Sequence, residues 1–141
     1  MVQAWESGED VLTKAPITAE TVADSISADL PRDRIKAMAA VRDTDGAYLR
    51  VSDEAILDAI PTLARGSGVF GEPAGAAAYA GAAAAAAQEL IGPDDSVAVL
   101  NTGSGLKDVP SAMRAVGSAG TEPLRIDPDI EALHAVLRGE S

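Results

Sequence analysis

The sequence has no cysteine, one histidine and three lysines among its 141 residues. Without cysteine there are no disulfides, no thiolate metal sites and no cysteine nucleophile. His134 falls on the polar side of the last predicted helix, where we expect it to be exposed. A lone histidine excludes metal sites with several histidine ligands and argues against a histidine-based catalytic triad. We therefore predict no metal site.

Long hydrophobic runs are also missing. The most apolar tract, residues 74–87, is almost entirely alanine and is shorter than the roughly 20 apolar residues that cross a bilayer. The first ten residues lack the basic start and apolar centre of a signal peptide. We expect a cytoplasmic protein that makes no contact with membranes.

Basic residues are scarce. Eleven of them face 22 acidic residues, which gives a formal net charge of -11. A surface of this sign repels nucleic acid and anionic lipid, and its self-repulsion favours solubility. The acidic residues are dispersed rather than gathered in a tail, and with so few lysines the composition is typical of a salt-adapted, halophile-like protein.

The length fits one domain with one packed core, and we treat residues 1–141 as a single unit. Apolar periodicity and capping residues predict several helices. They cover residues 1–8 with Gly8 as the stop, a weakly amphipathic stretch from Thr18 to Leu30, residues 31–43, a helix capped by Ser52 and kinked by Pro61, residues 73–91, residues 109–116, and a last helix with Asp127 as N-cap.

Three short segments have the pattern of strands: residues 47–51, 96–101 and 122–126. The second has Val97, Val99 and Leu100 in a run that fits a strand buried on both faces. Strands separated by helices predict an α/β fold with a three-layer, open and mostly parallel sheet flanked by helices.

Two glycine-containing loops flank the alanine-rich helix, at residues 68–77 and 101–108. In open α/β sheets, ligands bind where a loop leaves the carboxyl end of a strand. Gly103 and Gly105 permit positive φ or close approach to a flat ligand, and Thr102 would present its hydroxyl at the strand end. Glycines at 66, 68 and 71 match a dinucleotide-binding pattern, but a helix precedes them where that motif requires a strand, so a helix C-cap is the better interpretation.

The segments Gly-Val-Phe-Gly-Glu-Pro-Ala-Gly-Ala-Ala (68–77) and Thr-Gly-Ser-Gly-Leu-Lys-Asp (102–108), with their spacing, resemble the C-terminal signature of threonine synthase and related fold-type II pyridoxal-phosphate enzymes. Residues 4–8, 51–59 and 63–65 are similar to the same enzymes. The likeness extends to about Gly117. It implies that residues 1–141 form a C-terminal portion, within the large domain of such an enzyme.

The resemblance also implies site residues. Pyridoxal 5'-phosphate needs a lysine for its Schiff base, a partner for its pyridine nitrogen and amides for its phosphate. By resemblance Thr102 faces the pyridine nitrogen with a neutral hydroxyl and Glu72 lies beside the ring. Gly103 to Gly105 shape the pocket floor, with Gly103 and Ser104 counted among the cofactor-binding residues. From the residues alone, Thr102 could instead cap its own turn, and Glu72 could simply complement the dipole at a helix start.

The Schiff-base lysine of the family lies in a Ser-x-Lys-Asp motif, and neither that motif nor a glycine- and asparagine-rich phosphate loop occurs here. Lys107 belongs to the Gly-Leu-Lys-Asp helix start, so we expect a surface or salt-bridged role and assign no catalytic residue. The resemblance then implies a partner, an N-terminal half or separate subunit with the missing lysine; a homodimer is also compatible.

The implied reaction of the whole enzyme converts O-phosphohomoserine and water to threonine and phosphate, so the substrate is a small amino acid. Two alternatives stay open. One is a threonine or serine dehydratase of the same class, and the other is a non-catalytic, truncated or partner-dependent subunit.

Overall fold

The computed structural model describes residues 1–120 and 124–139. Within those ranges the chain forms helices joined by irregular segments. The helices are α1 (Val2–Ser7), α2 (Arg34–Asp43), α3 (Asp53–Ser67), α4 (Pro73–Ala87), α5 (Val109–Ser118) and α6 (Ile130–Leu137), with short 3-10 helices at Asp24–Ile26 and Gly105–Lys107.

Several helix ends are confirmed where the sequence predicted them. Helix α1 ends at Gly8, which has a left-handed φ of 70°, as a terminating glycine commonly does. Ser52 caps α3, because its hydroxyl accepts a 3.1 Å hydrogen bond from the Ala55 amide. Gly68 closes α3 with φ 74°, so the glycines from 66 to 71 include a helix end, as expected. Pro61 lies inside α3, which continues through it.

The helix predicted from Thr18 is wrong, and only the 3-10 helix Asp24–Ile26 forms there. Asp53 explains the difference. Its carboxylate accepts hydrogen bonds from the Thr21 hydroxyl at 2.6 Å and from the Val22 amide at 3.1 Å. Such side-chain bonds hold backbone groups that a helix would otherwise use.

Other helix boundaries also differ from prediction. Helix α2 begins at Arg34 rather than at residue 31. Helix α4 ends at Ala87 rather than at residue 91, and Glu89 just beyond it has φ 58°, which does not continue a right-handed helix. The N-cap of α6 is Asp129 rather than Asp127, since the Asp129 carboxylate accepts from the Ala132 amide at 3.3 Å.

The predicted strands at 47–51 and 96–101 are wrong for this structure, in which both segments are irregular. Val97, Val99 and Leu100 are 50, 37 and 76% exposed instead of buried on both faces. The third predicted strand begins outside the described residues, and its described part, 124–126, is irregular. A strand needs a neighbouring strand to form hydrogen bonds with its backbone groups. Among the described residues, β-type pairing is limited to one isolated antiparallel bridge, between Gly71 and Ser104. The predicted three-layer sheet is therefore not seen in this part of the chain.

The main core lies between α3 and α4, with α5 packed against α3. The α3 contribution is large and apolar, with Ile60 only 1% exposed. The α4 contribution is mostly alanine, whose short side chain allows close helix approach. The buried members of the core are Ala23, Ile56, Leu57, Ala59, Ile60, Ala74, Ala76, Ala80 and Ala115.

A second, smaller cluster joins α1 to α2 through Ala4, Val11 and Met38. Trp5 and Tyr48 pack beside it edge to face, with ring centroids 5.6 Å apart. Nowhere in the described ranges is a helix long and apolar enough to span a membrane.

Candidate site at the two glycine loops

The two glycine loops predicted to form a ligand edge lie side by side. The Glu72 amide donates to the Gly103 carbonyl and the Gly105 amide donates to the Phe70 carbonyl, each at 3.0 Å. Between these two bonds lies the Gly71–Ser104 bridge. The paired backbone places the start of α4 directly against the loop that carries Thr102.

The Asn101 side chain contacts both of these loops. Its side-chain nitrogen donates to the Gly103 carbonyl at 3.3 Å. Its side-chain oxygen is buried and accepts no hydrogen bond within the described part of the chain. That oxygen lies where a Cβ would stand on Gly71 or Gly75. Glycine at these two positions therefore leaves room for an amide side chain.

Of the two reasons expected for Gly103 and Gly105, positive φ is wrong. Neither has a positive φ. A Cβ on Gly103 would overlap the Glu72 side chain, and one on Gly105 would overlap the Phe70 ring. The close approach that these glycines permit is to side chains of the chain itself.

Glu72 is 4% exposed. It is the N-cap residue of α4, yet its side chain makes no capping hydrogen bond. Instead its carboxylate oxygens lie 3.2 Å from the Lys107 ammonium, and the Ser25 hydroxyl approaches to 3.5 Å. The helix-start interpretation of Glu72 is therefore incomplete, and the salt-bridged role predicted for Lys107 is confirmed.

Thr102 and Ser104 differ in what their hydroxyls do. The Ser104 hydroxyl accepts from the Leu106 amide at 3.3 Å and caps the short helix Gly105–Lys107. Thr102 is exposed, and its hydroxyl makes no hydrogen bond to another described residue. The alternative in which Thr102 caps its own turn is thus not seen, and its hydroxyl is available to a ligand.

Asp108 ends the second motif and caps α5, accepting from the Ser111 amide at 3.1 Å. Hydrogen bonds from the Ser111 side chain and then its amide lower the pKa of Asp108. His134 is exposed, as predicted. The described residues include no cluster of acidic and histidine side chains able to hold a metal ion.

A family model described as pyridoxal-phosphate dependent enzyme matches residues 1–103. This chain belongs to that family. The resemblance drawn from the two motifs is therefore confirmed, and with it the family's cofactor, pyridoxal 5'-phosphate. Membership in the pyridoxal-phosphate family also supports an α/β class, although the sheet layout has no counterpart in the described residues.

Individual relatives in the pyridoxal-phosphate family are threonine synthases. That of Methanosarcina acetivorans is 35% identical over 141 residues, which is all of this chain and 34% of the relative. That of Methanocaldococcus jannaschii is 35% identical over 119 residues, 84% of this chain and 28% of the relative. That of Mycobacterium tuberculosis is 37% identical over 109 residues, which is 77% of this chain and 30% of the relative. The chain thus spans about a third of the length of these curated relatives.

Sequence reasoning missed two residues of this site. Ser25 is 47 positions from Glu72 and 82 from Lys107, so no local pattern connects it to either. Asn101 was taken only as the end of a strand. The sequence signal that could have found it is the pair of glycines on either side of Glu72, Gly71 and Gly75. Neither has a positive φ in the structure, so what matters at both positions is the absence of a Cβ, which leaves space for the Asn101 side chain.

Proposed function

We propose that this chain is the C-terminal part of a threonine synthase-like pyridoxal-phosphate enzyme and that it binds the pyridine side of the cofactor. The whole enzyme would convert O-phosphohomoserine and water to threonine and phosphate, in the cytoplasm. The observation that carries the proposal is the pairing of the two glycine loops, which leaves the Thr102 hydroxyl exposed beside the buried Glu72.

The residues present fit the cofactor at one end. The Thr102 hydroxyl can donate to a pyridine nitrogen, and a neutral partner leaves that nitrogen largely unprotonated. When bound, pyridoxal phosphate supplies an electron sink for carbanion chemistry. Glu72 does not compete for the nitrogen, because its carboxylate is already paired with Lys107. Its role here is to support Gly103, next to Thr102.

The lysine is proposed to come from elsewhere. Lys107 is paired with Glu72, and Lys14 lies 2.7 Å from Glu9. Lys36, the third, lies on α2 and has no serine two positions before it, as the family's motif would require. We propose that the Schiff-base lysine and phosphate loop belong to polypeptide outside these 141 residues, either an N-terminal half or a partner subunit.

Binding of pyridoxine 5'-phosphate tests the pyridine side alone, since this analogue lacks the aldehyde that reacts with lysines. Calorimetry with the 141-residue chain should show binding that weakens roughly three- to tenfold in Thr102→Val, the loss typical of one hydrogen bond. Thr102→Ser, which keeps the hydroxyl, is the matched control. Equal affinity in all three proteins would remove Thr102 from the site.

Reconstitution tests the whole activity. The chain would be mixed with the lysine-bearing N-terminal part of a related threonine synthase and pyridoxal phosphate. Phosphate release from O-phosphohomoserine supports the synthase, whereas formation of a 2-oxo acid from threonine or serine would favour a dehydratase. Lys107→Arg keeps a cation beside Glu72 but cannot form a Schiff base. Activity that survives Lys107→Arg agrees with an outside lysine, and a cofactor absorbance lost in Lys107→Arg would contradict it. No activity with either substrate would leave the non-catalytic alternative.

A further inference from the structure

Ser25, Glu72 and Lys107 form one hydrogen-bonded group, called here the Glu72 cluster. The Lys107 ammonium donates to the Ser25 hydroxyl at 2.6 Å and to the Glu72 carboxylate at 3.2 Å. The cluster joins three separate parts of the chain: the 3-10 helix Asp24–Ile26, the start of α4 and the 3-10 helix Gly105–Lys107.

We propose that Lys107 and Ser25 are positioning residues, which hold the Glu72 side chain against Gly103 and thereby fix the loop that presents Thr102. The proposal rests on the function proposed above, in that Thr102 is taken as the cofactor ligand. Nothing in the motif predicts it, because Ser25 lies far from both partners in sequence.

Burial makes Glu72 dependent on its partners. A carboxylate taken out of water is costly unless it is paired and hydrogen-bonded. The Glu72 side chain is 4% exposed, whereas that of Lys107 is 60% exposed. A long exposed side chain has many rotamers, and the short bond to Ser25 restricts Lys107 to the one that meets Glu72.

The position of the Glu72 side chain affects the loop that carries Thr102, because the two are packed together. The Glu72 side chain fills the space next to Gly103, where no Cβ could fit. The Glu72 amide also binds the Gly103 carbonyl. A displaced Glu72 carboxylate would therefore shift Gly103, and Thr102 with it.

The geometry does not fit a second role, in which Lys107 would activate Ser25 as a nucleophile. An ammonium that donates to a carboxylate and to a hydroxyl has no lone pair with which to take the hydroxyl proton. One hydrogen bond of Lys107 pairs with the Glu72 carboxylate, and the other, to Ser25, holds the ammonium in position for that pairing.

Amide hydrogen exchange tests the positioning role without any cofactor. The reporters are the Glu72 and Gly105 amides, which bond across the two loops. In Lys107→Met we expect their exchange to quicken by about tenfold, in Ser25→Ala by a smaller factor, and in Lys107→Arg by little, because local opening sets such rates. Lys14→Met, which breaks the separate pair with Glu9, should leave both reporters unchanged.

Two results would overturn the proposal. One is exchange in Lys107→Met that stays within about twofold of the original protein. The other is an equal acceleration at the buried amides of α3, because that is a loss of global rather than local stability. These outcomes are independent of the proposed function, which fails instead if pyridoxine 5'-phosphate binds the original chain without any effect of Thr102→Val.

Discussion

The Asn101 carboxamide occupies the space in which Gly75 would otherwise carry a Cβ. Gly75 is in the first turn of α4 and is buried. Asn101 lies next to Thr102 and also bonds the Gly103 carbonyl. The start of α4 and the candidate ligand loop are therefore in direct van der Waals contact. A methyl group added at Gly75 should push them apart.

Gly75→Ala should destabilise the fold by about 1–3 kcal/mol, the usual cost of overpacking. The matched control is Gly81→Ala in the same helix, where a Cβ would meet nothing within 4 Å. There the better helix propensity of alanine should stabilise by about 0.5–1 kcal/mol. Urea unfolding of both variants measures the two signs. Stabilisation in both would show that Asn101 moves aside at no cost.

Asp108→Asn should reduce stability at pH 7 by about 0.3–1 kcal/mol, the value of a negative charge at a helix N-terminus. Asparagine still caps the helix, so the loss is that of the charge. Because the folded pKa of Asp108 is lowered, its contribution is present above the unfolded pKa and disappears as pH falls through the folded pKa.

In urea unfolding at each pH, the two proteins should therefore differ at pH 7 and converge as the pH falls through the lowered folded pKa of Asp108. A difference that stays constant from neutral to acid pH would mean that the Asp108 charge contributes nothing. Asp108→Ala, which removes the cap as well, should cost about 1 kcal/mol even in acid.

Tyr48→Phe should stabilise the protein by up to about 1 kcal/mol. The Tyr48 hydroxyl is buried and has no hydrogen-bond partner in the described structure, and burial raises the pKa of Tyr48. Removing an unsatisfied buried hydroxyl relieves its desolvation cost, while the edge contact with Trp5 is kept. Tyr79→Phe in α4 is the control and should change stability by less than about 0.5 kcal/mol. Destabilisation in Tyr48→Phe would reveal a bound partner, such as water.

Stability should rise with salt. The net charge of -11 destabilises the compact state through self-repulsion, and 1 M salt shortens the screening length to about 3 Å. Thermal unfolding between 10 mM and 1 M potassium chloride should show a steadily rising midpoint. A midpoint that falls with salt would contradict the salt-adapted interpretation of the composition.

The accuracy of the sequence predictions follows the range of the interactions involved. Ser52 and Gly8 were correctly placed at helix ends, and a helix end was correctly expected among the glycines from 66 to 71, because a cap acts on backbone groups within about four positions. The stretch from Thr18 was misassigned because Asp53, more than 30 positions away, takes the hydrogen bonds of Thr21 and Val22. Val97, Val99 and Leu100 have the pattern of a buried strand, but pattern alone supplies no neighbouring strand.

By itself the sequence determined the local features of this protein: its helices and several of their caps, its acidic surface, and the two motifs that carry the pyridoxal-phosphate family. Only the tertiary structure decided that Ser25 reaches Glu72 and Lys107, and that Asn101 fills the space beside Gly71 and Gly75. The reason is physical. Capping and periodicity depend on residues a few positions apart, whereas these contacts exist only after the packing of α3, α4 and α5 has brought distant loops together.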